Sequence, residues 1–141
     1  MIIKANFSAG GILSKKPCVY ILTMRNDKEC RHYVGKTGTS NETGISSPFK
    51  RLAAHIAKRG KTQSCIWDND LNKDFLQTAA ISFRALLVEE NDVSNAEKWV
   101  FWEMSSQSLF MLNKQTKILE QPKISPELQK NLKLLVASIN L

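Results

Sequence analysis

Apolar residues fall in short clusters of two different spacings, and the alternation between them predicts a small sheet with helices packed on it. Residues 19–24 and 32–36 are strand-like runs rich in Val, Ile, Leu and Tyr, joined by the polar stretch Arg25, Asn26, Asp27, Lys28 and Glu29. That stretch has the length and chemistry of a hairpin loop, so the two runs are expected to pair antiparallel. Residues 81–88 alternate Ile81, Phe83, Ala85 and Leu87 against Ser82, Arg84, Leu86 and Val88. Apolar side chains on both faces predict a third strand in a central position.

Helical spacing takes over elsewhere. A helix is expected from Ser47 as N-cap and Pro48 at the first position to a stop near Gly60, with Phe49, Leu52, Ala53 and Ile56 as its apolar stripe. At about 100° per residue, Arg51 and His55 fall on the other side, with Lys58 and Arg59 near them, giving a basic polar face. Residues 64–71, with Cys65, Ile66 and Trp67, suggest a second short helix. After the turn formers Glu89 to Asp92, Ser94 and Glu97 stand at capping-box spacing, and Trp99, Val100, Phe101, Trp102 and Met104 surround the helix that follows. It is expected to lie deep against the sheet and to end before Leu112 and Asn113. Ser125-Pro126 opens a last helix, whose Leu128, Leu132, Leu135, Val136 and Ile139 either close the core or meet a partner, with Lys130 and Lys133 outside that stripe. The expected fold is α/β in the α+β sense: a three-stranded, mainly antiparallel sheet flanked by helices. Residues 1–16 read as an N-terminal arm, 17–115 as the main domain and 116–141 as a helical extension packed on it. Residues 37–44 collect turn formers without apolar periodicity and are expected to be an exposed loop.

Composition narrows the class of partner. The chain has 141 residues, enough for one core without disulfide or metal staples. It carries 20 Lys and Arg against 13 Asp and Glu, a formal charge of +7. That excess favours a polyanion: DNA, RNA or an acidic membrane surface. No apolar run approaches the roughly 20 residues of a membrane-spanning helix, and the N-terminus lacks a secretory pattern, so a cytoplasmic or nucleoid-associated protein is the expectation. Cys18, Cys30 and Cys65 form no CxxC pair and are expected to be reduced packing residues.

Several polar residues stand out on these elements. Tyr20 and Tyr33 sit on the two hairpin strands, Arg51 and His55 one turn apart on a helix, Lys36 directly after Gly35, Glu97 at a helix start and Asn113 beyond its end. Each has a structural reading beside the functional one. Strand tyrosines commonly just pack their rings. A basic helix face is commonly solvated, Glu97 would cap a helix, and Asn113 would close one. Gly35-Lys36-Thr37 resembles the end of a phosphate-binding P-loop, but Cys30 stands where that motif requires glycine. A zinc site from Cys30, His32, His55 and Cys65 lacks a recognised spacing.

In order and spacing, the triplets Cys18-Val19-Tyr20 and Tyr33-Val34-Gly35, followed by Arg51, His55, Glu97 and Asn113, resemble the GIY-YIG nuclease family over roughly residues 17–115. Cys18 replaces a glycine of the family pattern and Val19 and Val34 replace isoleucines. The resemblance implies metal-dependent endonucleolytic hydrolysis of DNA, duplex or branched, with one Mg2+ or Mn2+ held by Glu97. Tyr20 would activate water, Tyr33 and Arg51 would hold phosphate, and His55, Lys36 and Asn113 would support them, with Lys58 and Arg59 gripping the substrate backbone. A phenol with its ordinary pKa is only about one part in a thousand ionised at neutral pH, so a neighbouring group must help. Lys36 and the metal are the expected helpers. A binding module of this fold without turnover, or an interaction protein dimerising through the C-terminal helix, are the alternatives.

Overall fold

The computed structural model describes residues 15–38, 47–57, 75, 78–113 and 120–140. Strands β1 (Cys18–Arg25), β2 (Cys30–Thr37) and β3 (Ala80–Leu87) form one antiparallel sheet in the order β2-β1-β3. Helix α1 (Pro48–Ala57) follows the hairpin, α2 (Val93–Ser106) follows β3, and α3 (Pro126–Ala137) runs into a short 3-10 turn, Ser138–Asn140. The fold is α+β, as the sequence implies. No helix among the described residues is long and apolar enough to cross a membrane. Residues 1–14, the expected helix over 64–71, the greater part of the 37–44 loop, and Lys58 and Arg59 lie outside the described residues.

The hairpin closes through Asn26, whose Oδ1 accepts from the backbone N–H groups of Lys28 and Glu29, both at 2.9 Å. A short polar side chain that satisfies turn donors in this way fixes the loop length. Loop length in turn fixes the register: Arg25 opposite Cys30, Leu22 opposite Tyr33, Tyr20 opposite Gly35 and Val19 opposite Lys36. The chain leaves β2 through Gly38, whose φ of +87° is one that side chains with a Cβ rarely adopt.

β1 is the central strand, and every residue from Cys18 to Met24 is buried. The expectation for β3 is therefore corrected: it pairs only with β1 among the described strands, with Ile81 and Leu87 about 40% exposed (42% and 40%). Its apolar residues on both faces reflect neighbours above and below one edge of the sheet, not a strand on each side. Two cores result, one per face. Val19, Ile21 and Val34 meet Trp99, Val100 and Met104 of α2 and Leu132, Leu135, Val136 and Ile139 at the C-terminal end. Leu22 and Met24 meet Leu52 of α1 and Phe75 on the other face. The C-terminal stripe is thus buried within the domain, although Leu134 beside it is 63% exposed.

Helix starts follow the sequence signals in two cases. Ser47 Oγ accepts from Lys50 N and Ser125 Oγ from Leu128 N, each before a proline at the first position. α1, however, is rotated from the expected orientation. Its inward stripe is Pro48, Leu52 and His55, with Arg51 half-buried beside them, whereas Phe49 is 46% exposed. The spacing i, i+4, i+7 is helical all the same, but it runs through a proline and a histidine rather than through Phe49. Beyond the end of α2, Ser108 lies in the left-handed region with φ 58°, and there Ser108 N bonds Ser105 O and Leu109 N bonds Met104 O. This double closure reverses the chain. It sends residues 110–113 back along the outer edge of β2.

Candidate active site

The register places Tyr20, Tyr33 and Phe83 on the sheet face that α1 covers, since paired residues share a side and alternate residues change sides. Their rings and His55 make one cluster: Tyr20 to Phe83 at 5.1 Å, Tyr33 to His55 at 5.0 Å and Tyr20 to His55 at 5.7 Å between centroids. Within it, the Tyr20 hydroxyl and His55 Nε2 are 2.8 Å apart. With the ring proton on Nδ1, Nε2 accepts the phenol proton. Burial pushes the His55 imidazole down to about 4, and the Arg51 guanidinium one turn away pushes in the same direction. The ring is therefore neutral at pH 7 and able to accept.

Gly35 explains why this cluster exists. A Cβ at Gly35 would overlap the Tyr20 ring and hydroxyl, so the phenol lies across bare backbone of the neighbouring strand. Nothing in the sequence pattern marks Gly35 for this part. The five-residue polar stretch seen in the sequence would set Tyr20 opposite Val34; the observed pairing of Arg25 with Cys30 sets it opposite Gly35.

On the other face, Lys36 stands opposite Val19 and reaches α2. Its Nζ donates to Ser94 Oγ at 3.2 Å and pairs with Glu97 Oε2 at 2.8 Å, with 26% and 12% of the Lys36 and Glu97 side chains exposed. Two expectations change here. Glu97 is not a capping residue: Asp92 is the N-cap of α2 and makes no side-chain cap bond, and Ser94 lies inside the helix. Nor does Lys36 serve the Tyr20 phenol, whose partner is His55.

Asn113 braces the strand between the two groups. Its Nδ2 donates to Val34 O at 2.7 Å and its Oδ1 accepts from Val34 N at 2.9 Å, so a side-chain amide takes the place of a further strand. Both amide atoms thus bond the backbone of β2, which makes Asn113 a brace of that strand, and the C-cap of α2 is Gln107 instead. His32 N and O are likewise bonded to Phe110 O and Leu112 N. Outward groups recur at every second residue of an antiparallel edge, so the next outward N–H and C=O belong to Lys36. Among the described residues none covers them.

The expected residues thus form two groups, one on each face, flanking the consecutive positions Gly35 and Lys36 near the end of β2, an edge strand among the described residues. Tyr20, Tyr33, Arg51 and His55 belong to one, and Lys36, Ser94 and Glu97 to the other. Among the described residues no cluster of three or more His, Cys, Asp or Glu is placed to hold a metal. The residues that could hold a cation are Glu97 and Ser94, whose carboxylate and hydroxyl oxygens converge on the Lys36 ammonium. Magnesium commonly takes one or two carboxylates and completes its shell with water and phosphate oxygens. Away from this edge, His32 is buried, bonded through Nδ1 to Thr23 Oγ1 at 3.0 Å, and held below its ordinary pKa by burial and by Arg25 and Arg84. It has no place in either group.

Compared with known proteins, the chain matches no family model, no curated protein and no solved structure.

Proposed function

We propose that the protein is a metal-dependent endonuclease that hydrolyses DNA phosphodiester bonds at the open end of β2, as the resemblance to the GIY-YIG family implies. The observation that carries this reading is the Tyr20–His55 pair: a phenol 2.8 Å from an imidazole held neutral, beside an arginine. A phenol becomes useful as a base when its proton has somewhere to go, and His55 Nε2 is that place. Water would give its proton to the Tyr20 oxygen while the phenol proton passes to His55. Charging a ring whose pKa is about 4 costs about 4 kcal/mol at pH 7, part of which is due to Arg51. A phosphate bound to Arg51 cancels that part, so substrate itself makes the relay easier. The planar, permanently charged fork of Arg51 suits a phosphate, and the Lys36 backbone N–H adds a donor at the strand edge. Glu97 would hold the divalent cation, which when bound supplies charge neutralisation at the phosphoryl group. The excess of basic residues favours the polyanion throughout the encounter.

Plasmid DNA incubated with Mg2+, with chelator, and with the Glu97→Ala variant tests the reading. Cleavage by the wild type alone, abolished by chelator, supports it, and undiminished cleavage by Glu97→Ala removes the metal assignment. Two observations favour a second reading, a DNA-binding module without turnover: Glu97 is already neutralised by Lys36, and Tyr20 is only 2% exposed. Salt-sensitive DNA binding with no cleavage of any substrate would select it.

A further inference from the structure

Ser94 and Glu97 lie about one turn apart on α2, and their side-chain oxygens converge on a single cation, the Lys36 ammonium, at 3.2 Å and 2.8 Å. We propose that Ser94 and Glu97 together form the seat of the divalent cation, and that Lys36 is an exchangeable counter-ion that fills the seat until the metal enters and then moves to a substrate phosphate. This rests on the nuclease reading above, which it extends by a second oxygen donor and by a second position for Lys36.

Ser94 is inside the helix and caps nothing, and Glu97 returns no bond to the helix start. Their shared task in this structure is to satisfy one positive charge. A carboxylate and a hydroxyl on one side of a helix are hard oxygen donors, the kind that suits magnesium or manganese. A lysine and a metal ion cannot share Glu97 Oε2 without strong repulsion, so one excludes the other. Lysine suits the part of a displaceable occupant: it is a point charge on a flexible four-carbon stem, and here about a quarter of the side chain (26%) reaches solvent. The ion pair also keeps the carboxylate from standing half-buried and uncompensated while no metal is present.

Released from Glu97, the ammonium belongs to the residue whose backbone N–H already faces outward at the strand edge. A phosphate there would meet both groups of the same residue. Metal entry and phosphate binding are then linked and, by thermodynamic necessity, each strengthens the other.

Mn2+ serves as the probe, titrated into the full chain without DNA and followed by electron paramagnetic resonance. Lys36→Met removes the competing charge and keeps the length of the stem. It is expected to bind Mn2+ about 10-fold more tightly than the wild type, the scale of ordinary coupling between sites. Lys36→Gln repeats the comparison with a polar replacement, should the methionine variant fold poorly. Ser94→Ala is expected to weaken Mn2+ binding, and Glu97→Gln to abolish it. In duplex DNA binding, Mn2+ should strengthen the wild type by more than it strengthens Lys36→Met, because only the wild type gains the released ammonium as well as the metal. Equal or weaker Mn2+ binding by both Lys36 variants overturns the exchange, and wild-type affinity in Ser94→Ala overturns the second donor. If those results accompany Mn2+ binding that still needs Glu97, the nuclease reading stands without this inference. If Mn2+ binds neither the wild type nor the Lys36 variants, the metal reading falls with it.

Discussion

The Tyr20 ring lies across Gly35 on the adjacent strand, and that contact leaves no room for a side chain at residue 35. Gly35→Ala would force the phenol away from His55 or push the strands apart. Stability should fall by about 1–3 kcal/mol, the usual cost of overpacking. Loss of cleavage should exceed what that instability explains, since the Tyr20–His55 bond is the first contact displaced. Thermal melts and cleavage assays on the same sample separate the two effects; an alanine variant with full activity would mean that the phenol position does not matter.

Tyr20→Phe isolates the hydroxyl. The ring keeps its stack on Phe83 and its place over Gly35, while the bond to His55 Nε2 is lost. One buried hydrogen bond is worth about 1 kcal/mol, so folding should be little affected. If the phenol is the base, cleavage should drop by about 100-fold or more. A drop that fails to appear, with substrate affinity unchanged, would assign the water activation elsewhere.

Much of this is legible in the sequence. The hairpin was marked by two apolar runs around a polar loop, and the starts of α1 and α3 by Ser-Pro at their N-termini. The face presented by α1 was not, because the pattern of apolar residues pointed to Phe49, while the sheet offered aromatic partners and a phenol for His55 to meet. Position within the sheet was equally hidden. β1 and β3 are both apolar on two faces, and only pairing partners distant in sequence decide which is central. The order of the candidate residues along the chain carried the idea of a site, but it could not say that the sheet would part them, with His55 on one side and Glu97 on the other. Nor could spacing distinguish a capping glutamate from one that reaches out to Lys36, since both stand three residues after Ser94.

Asn113 tests whether bracing the edge of β2 matters to what lies beyond it. Asn113→Ala removes both bonds to Val34 and leaves a backbone N–H and C=O unsatisfied at a partly buried edge. The expected cost is about 2–4 kcal/mol, from two lost bonds each worth about 1–2. Hydrogen exchange at the Val34 amide should speed up at the same time. Asn113→Asp should be at least as harmful, because it puts a carboxylate oxygen where an N–H faced the Val34 carbonyl. Denaturant midpoints equal to wild type in both variants would show that the edge holds without the amide.

Acid should weaken the fold before it protonates most carboxylates, and the direction follows from His55. Its folded pKa of about 4 lies below the ordinary 6.5, so the unfolded chain takes up the proton first. Stability from the neutral, buried ring is fully present above pH 6.5 and is lost as pH falls from there toward 4. Over the 1.5 units between pH 6.5 and 5, that single residue removes about 2 kcal/mol. His32 is shifted in the same direction by burial and by Arg25 and Arg84, and adds to the loss. Denaturant unfolding at pH 7.5 and at pH 5 should therefore differ by at least that amount, and the His55 ring should show no titration by NMR above pH 5. A His55 resonance that titrates near 6.5 would mean that the ring is open to water, and the neutral acceptor on which the Tyr20 base depends would be lost with it.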